Sequence, residues 1–396
     1  MGRSTVAPTM LLPFVVTSKL ISVQLNSQDD GKEHKNDNAA VIRSIPTNLP
    51  TIELRNGVQL PVLSLGTAHR VRNGGDDHNK RFNGFLPERT YRQVQLALEC
   101  GVRSFDTARL YRNHKQIGHV FGEWFRTGKI QREDVFISTK VFHGNAEHVA
   151  TQRSHMHNMD QLTPDEVTEH VKREVEDALD DLGIGYIDLL LLHWPSCAAA
   201  SNGRSCGSNG PHGTNKETDE ERKTACRLRR LAAWNVLEEF YEKGWVRAIG
   251  VSNFSEHHLN DLLYMDCGVK IIPMVNQIEA NLGVMYPDIF RYCKEHRIVC
   301  QAFSPFKRGQ DLKLLLHEDI TIQATVQKYR KSVQQITLRM LQQYGYAITF
   351  LSTNPQRMVS NHEIFDFELT ESEFDFISNI PTVDGSCGLR SPYDLD

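Results

Sequence analysis

From about residue 51 onward the chain repeats one unit, a short apolar run followed by a longer amphipathic stretch. The apolar runs are 62–65, 104–107, 135–139, 187–192, 246–251, 274–278, 299–303 and 347–351. Strands separated by helix-length segments pair in parallel, because each return to the same sheet edge needs a crossover. Eight such units predict an α/β fold, a (β/α)8 TIM barrel in which the sheet closes on itself. Ahead of the first unit, residues 51–54 and 59–62 flank Asn56-Gly57. Both of those residues accept positive φ, so the segment reads as an N-terminal β-hairpin plug for the barrel floor.

The best-marked helix opens at Thr163-Pro164-Asp165-Glu166, a capping box with proline at its first position. Val167, Val171, Val175 and Leu179 give it one apolar stripe, and Gly183 is placed to end it. Two stretches break the rhythm. Residues 143–162 are polar and rich in His and Met, and residues 196–226 are rich in Gly, Ser and Asn. Each follows a strand end, so in a barrel both lie on the C-terminal face, where active sites sit. The expected division is a disordered extension over 1–50 and a barrel with these two insertions over 51–396.

Composition narrows the function classes. A net charge of −4 gives no basic excess for nucleic acid. No apolar run approaches the roughly 18 residues that span a bilayer. The eight cysteines form no CxxC pair, which reads as free thiols in a reducing, cytoplasmic setting. Residues 1–26 carry Arg3 and Lys19, no acidic residue, and an apolar stretch split by Pro13, so a targeting segment stands as the alternative to a plain extension. His143, His148, His155, His157 and Asp160 lack a second ligand cluster of fixed spacing, so no metal site is expected. The basic run at Lys223, Arg227, Arg229 and Arg230 reads as a solvated helix face. His257-His258 opens a helix and reads as solvated too.

Three strand ends carry polar residues. Asp106 ends SFD and is followed by Tyr111, Lys140 ends VFISTK, and His193 follows four leucines. Alone, each has an ordinary role: a helix cap, a solvated lysine, a core histidine. A barrel brings its strand ends to one ring, and the four would then converge. Reduction of a carbonyl requires a hydride for carbon and a proton for oxygen. Tyr111 would be the acid, the Lys140 ammonium would favour its phenolate, Asp106 would orient the lysine, and His193 would polarise the carbonyl.

These segments resemble the aldo-keto reductase family. GVRSFDTARLYRNHKQIG keeps the family's Asp-Thr-Ala and the tyrosine five residues after the aspartate, and Lys140 lies 29 residues beyond Tyr111. LLLLHWP carries its histidine, RAIGVSNF matches its fifth-strand motif, and PMVNQIEAN resembles its sixth. The resemblance runs from about residue 52 to 376. It implies a catalytic tetrad of Tyr111, Asp106, Lys140 and His193. It implies that Ser252, Asn253 and Gln277 hold the nicotinamide carboxamide and that Phe303 stacks on the ring. Ser304 would lie near the pyrophosphate, Gly66 and Thr67 would line the cofactor, and Trp194 would wall the substrate pocket.

Four departures stand out. The chain has His114 for the family's glutamate and Ala68 for a loop tryptophan, and it carries the insertion at 143–162. In the last motif Leu351 replaces a lysine, leaving Ser352, Arg357 and Asn361. NADPH is the expected cofactor, with NADH open because that lysine is lost. The implied partner is a small carbonyl substrate, and the implied state is a monomer. The alternative function is a cofactor-binding regulatory subunit with little turnover.

Overall fold

The computed structural model describes residues 20–23, 40–69, 87–142, 162–195, 219–263, 268–306 and 319–380. The insertion cores 143–161 and 196–218 fall outside these, and with them the five residues weighed as metal ligands.

Two short strands, β1 (Leu20–Val23) and β2 (Ala40–Arg43), pair antiparallel inside the stretch expected to be a disordered extension. Their β-branched residues suit a ladder, and the polar segment between them hides that signal from a composition reading. The hairpin forms as expected from β3 (Thr51–Glu53) and β4 (Gln59–Pro61), with Gly57 at φ 85° in the turn.

Eight parallel strands then close a barrel: β5 (Leu63–Gly66), β6 (Ser104–Asp106), β7 (Phe136–Val141), β8 (Leu189–Leu192), β9 (Ile249–Ser252), β10 (Val275–Glu279), β11 (Val299–Phe303) and β12 (Ala347–Phe350). Closure is made by β12 on β5, where Thr349 lies beside Ser64. Every strand overlaps an apolar run read from sequence. The helices are α1 (Pro87–Cys100), α2 (His114–Arg126), α3 (Pro164–Leu182), α4 (Asp219–Glu242), α5 (Glu256–Leu263), α6 (Pro287–Glu295), α7 (Ile320–Tyr329), α8 (Val333–Tyr344), α9 (Pro355–His362) and α10 (Glu371–Ser378). The α3 capping box is present in both directions, and Gly183 closes the helix in the left-handed region at φ 60°.

The core has two layers. Outward strand residues pack on helix stripes such as Val94, Ala97 and Leu98 of α1 and Val167, Val171 and Val175 of α3. Inside the barrel, Leu189, Leu191, Ala248, Val275 and Ala347 pack on Leu54, Val58 and Leu60, so the hairpin does plug the floor. Each fully buried aliphatic side chain contributes about 1.5–3 kcal/mol. Gly250 is required within the RAIGVSNF segment: a Cβ there would stand 2.5 Å from the Val275 carbonyl oxygen and 2.9 Å from the Leu191 side chain.

Candidate active site

β6 and β7 are neighbours with Asp106 in register with Ser138, and the Lys140 side chain, two residues further along β7, reaches the Asp106 carboxylate. Lys140 donates to Asp106 Oδ1 at 2.6 Å and to the Thr107 carbonyl at 3.0 Å, with both ionic side chains buried. An unpaired charge at this depth would cost several kcal/mol. Burial by itself pulls the Lys140 pKa down. The charge of Asp106, then Tyr111, and hydrogen bonds to both outweigh it and hold the pKa above the ordinary lysine value. The ammonium is therefore retained at neutral pH.

After β6 a single 3-10 turn, Arg109–Tyr111, ends with Arg112 in the left-handed region and delivers Tyr111 toward the lysine. The Lys140 ammonium lies 5.3 Å from the Tyr111 ring centroid. His193 directly follows β8, its ring edge-on to Tyr111 with centroids 5.9 Å apart, and Trp194 stacks on it at 5.9 Å. Tyr111, Asp106, Lys140 and His193 thus come together at the C-terminal mouth of the barrel. A phenolic hydroxyl beside a fixed cation and an imidazole is an arrangement able to protonate a carbonyl oxygen.

His114, at the glutamate position of the family motif, is buried behind this group and meets Thr139 Oγ1 at 2.9 Å. Burial, then the charges of Arg109 and Lys140, push its pKa down to about 3. It stays neutral and adds no second cation beside Lys140.

Ser252, Asn253 and Gln277 also gather, and they are tied to one another and to the first group. Ser252 Oγ donates to the Gln277 carbonyl at 2.8 Å. The Asn253 amide donates to the His193 carbonyl at 3.0 Å and to Ser252 Oγ at 3.2 Å, with its backbone at φ 64°. The Gln277 amide donates to Asp106 Oδ2 at 2.8 Å and to Gln301 Oε1 at 2.7 Å. Both amide nitrogens are spent inside the protein. The side-chain oxygens of Asn253 and Gln277 are acceptors, which suit an incoming amide N–H.

The β5 and β12 ends form a third group. Thr67 N and Oγ1 both donate to the Asp106 carbonyl, at 3.0 and 3.1 Å. Gln93 of α1 donates to the carbonyls of Gly66 at 3.0 Å and Ser352 at 2.8 Å, and its Oε1 meets His69 Nε2 at 2.8 Å. With both Gln93 hydrogens fixed on carbonyls, the shared proton belongs to His69 Nε2. Asn113 adds bonds to Thr67, Thr90 and Thr107. Sequence reasoning missed Gln93, His69, Asn113 and Gln301. Only Asn113, two residues past Tyr111 in the turn, carried a local hint.

Phe303 ends β11, and Ser304 follows in the left-handed region at φ 53°. Arg357 and Asn361 lie on α9, four residues apart. Asn354 caps that helix by accepting from Arg357 N at 2.9 Å, and Ser352 Oγ accepts from Asn354 N at 3.2 Å. Leu351 is more than one-third exposed just before this turn. Two readings of polar runs are corrected. Arg230 is buried rather than solvated, and His258 is buried with Nδ1 at 2.9 Å from Ser255 Oγ, while His257 is exposed. Each has a partner brought from another part of the fold or from its own helix cap, which removes it from water.

The chain and its fold are similar to those of known proteins. The chain is 31% identical to aldose reductase B of Dictyostelium discoideum over 83% of this chain and 92% of that one. It is 31% identical to glyoxal reductase of Bacillus subtilis, over 84% and 94% of the two chains. An aldo-keto reductase of Bombyx mori solved in complex with NADP superposes with a TM-score of 0.60 at 27% identity, covering 85% of this chain and 95% of that one. The sequence model described as the aldo/keto reductase family matches residues 63–381, the barrel from its first strand through its last helix, and the chain belongs to that family.

Proposed function

We propose that this NAD(P)H-dependent oxidoreductase reduces aldehydes or ketones to alcohols with NADPH, using Tyr111 as the acid. The observation that carries the reading is the buried Lys140–Asp106 pair directed at Tyr111, with His193 edge-on to the same ring. A nicotinamide held beside Ser252, Asn253 and Gln277 would supply the hydride. Tyr111 gives its hydroxyl proton to the carbonyl oxygen. Lys140 stabilises the phenolate that is left, and Asp106 keeps the lysine charged and aimed. His193 hydrogen-bonds the carbonyl oxygen and orients the substrate, with Trp194 as the pocket wall.

The residues present fit the cofactor. Gln277 and Asn253 offer acceptors for the carboxamide N–H groups, beside Ser252. Gly66 and Thr67 line the cofactor beside the end of β5, Ser304 lies near its pyrophosphate, and Phe303 offers a ring face to the nicotinamide. Ser352, Arg357 and Asn361 take the adenosine end. Arg357 supplies a planar donor fork for a 2′-phosphate, which supports NADPH although Leu351 adds no charge there. The NADP bound in the silkworm relative supports the same choice.

Titration of the purified chain with NADPH and NADH, read by quenching of tryptophan fluorescence, tests the cofactor. Tighter binding of NADPH is expected. Equal or tighter NADH would overturn the 2′-phosphate assignment, and binding of neither would overturn the reading as a whole.

A further inference from the structure

Two adjacent arginines of α4 each hold a backbone carbonyl at the root of one insertion. Arg229 Nε donates to the Leu162 carbonyl at 2.7 Å, and Arg230 Nε donates to the Pro195 carbonyl at 2.8 Å. Leu162 immediately precedes the capping box of α3. Pro195 is the second residue after His193. Neighbours on a helix point about 100° apart, which lets one turn of α4 reach two separate segments.

Arg230 is the more constrained of the two. Its side chain is 3% exposed, and Nη1 pairs with Asp261 Oδ2 of α5 at 2.5 Å. Its guanidinium stands 5.9 Å from the Phe254 ring, next to Asn253. Asn253 in turn donates to the His193 carbonyl. The segment His193-Trp194-Pro195 is therefore pinned at the carbonyl before Trp194 by Asn253 and at the carbonyl after it by Arg230. Trp194 is the residue between the two pins, and its ring stacks on His193.

A buried ion pair with Asp261 would not by itself require arginine. The planar fork does: Nε and Nη1 project from one rigid group, so a carbonyl and a carboxylate are bridged at a fixed separation. A lysine could reach Asp261 but has no second donor held in that geometry.

We propose that Arg230 is a positioning residue for the substrate pocket, setting the placement of Trp194 over His193 by bridging Asp261 to Pro195. This rests on the reading of His193 and Trp194 as substrate-side groups. Arg229 does the same for the start of α3 at Leu162.

The test uses the full chain with 5-fluorotryptophan, R230K, and fluorine NMR. The chain has four tryptophans, and the Trp194 resonance is assigned by its loss in W194F. R230K is expected to move or broaden that resonance and leave the other three in place. It is also expected to raise KM for a small aromatic aldehyde by about tenfold or more, the worth of one charge-assisted hydrogen bond, while the NADPH Kd changes less than about twofold. In a W194F background the KM effect of R230K should vanish. An unmoved Trp194 resonance, or a KM effect that survives in W194F, overturns the proposal. If the wild type reduces no carbonyl, the functional reading fails, and the fluorine spectrum alone decides the positioning role. If R230K does not fold, Asp261→Asn removes the far anchor of the same bridge. An unmoved Trp194 resonance in that variant overturns the proposal equally.

Discussion

Gln277 donates an amide hydrogen to Asp106 Oδ2 at 2.8 Å, although 171 residues separate them, while the other carboxylate oxygen takes Lys140 at 2.6 Å. The residue proposed to face the cofactor amide and the residue that anchors the lysine are thus one hydrogen-bonded unit. Gln301 completes it by accepting the second Gln277 hydrogen. A change at either end should be felt at the other.

Replacement of Lys140 by methionine leaves the Asp106 carboxylate buried without its cation. Stability should fall by about 3–5 kcal/mol at neutral pH, measured by urea unfolding. A loss under about 1 kcal/mol would mean that the pair is not buried in solution.

Gln93→Met removes the bridge between the β5 and β12 ends while filling nearly the same volume. Cofactor affinity should drop several-fold, up to the roughly tenfold worth of one well-formed hydrogen bond to a fixed carbonyl. Titration with NADPH reads this directly. Unchanged affinity in a folded variant would reduce Gln93 to a packing residue.

Leu351→Lys should raise the preference for NADPH over NADH by about tenfold or more, since it adds a charge-assisted contact for a 2′-phosphate. Arg357→Ala should erase most of the preference for NADPH proposed for the wild type. Dissociation constants for both cofactors in both variants check the pair, and a preference unmoved by either change would place the phosphate elsewhere.

The pH dependence of stability follows from His114 and His362, whose pKa values are pushed down to about 3 and about 4 by burial first of all. The unfolded chain binds these protons near pH 6.5 and the folded chain does not. Stability is therefore complete above about pH 6.5 and is lost as pH falls toward the folded values, by about 1.4 kcal/mol per pH unit for each histidine. Urea unfolding between about pH 5 and 6.5, where most carboxylates stay ionised, isolates the effect. His114→Gln should remove up to about 1.4 kcal/mol per pH unit of that slope. An unchanged slope would show that His114 titrates normally.

The strands were legible because a barrel strand is buried on both faces, which leaves an uninterrupted apolar run such as the four leucines before His193. The α3 caps were legible because capping is local chemistry. Gln93 was not, since a glutamine beside Arg92 and Gln95 on an amphipathic helix looks like a surface residue until the ends of β5 and β12 supply its carbonyls. Arg230 was hidden for the same reason: a basic run reads as solvated, and only α5 and the turn after His193 bury it. The convergence could be expected because Asp106, Lys140 and His193 lie at or beside the ends of successive strands, with Tyr111 in the turn after the first of them. The inward turn of the Gln277 amide could not, because it depends on Gln301 in the next strand.

The central claim is tested most directly by Tyr111→Phe, which keeps the ring and removes the proton donor. NADPH turnover with a small aldehyde and NADPH affinity should be measured together in wild type and variant. Turnover should fall by a factor on the order of 10² to 10⁴ with affinity preserved. Turnover equal to wild type would contradict the assignment of Tyr111 as the acid.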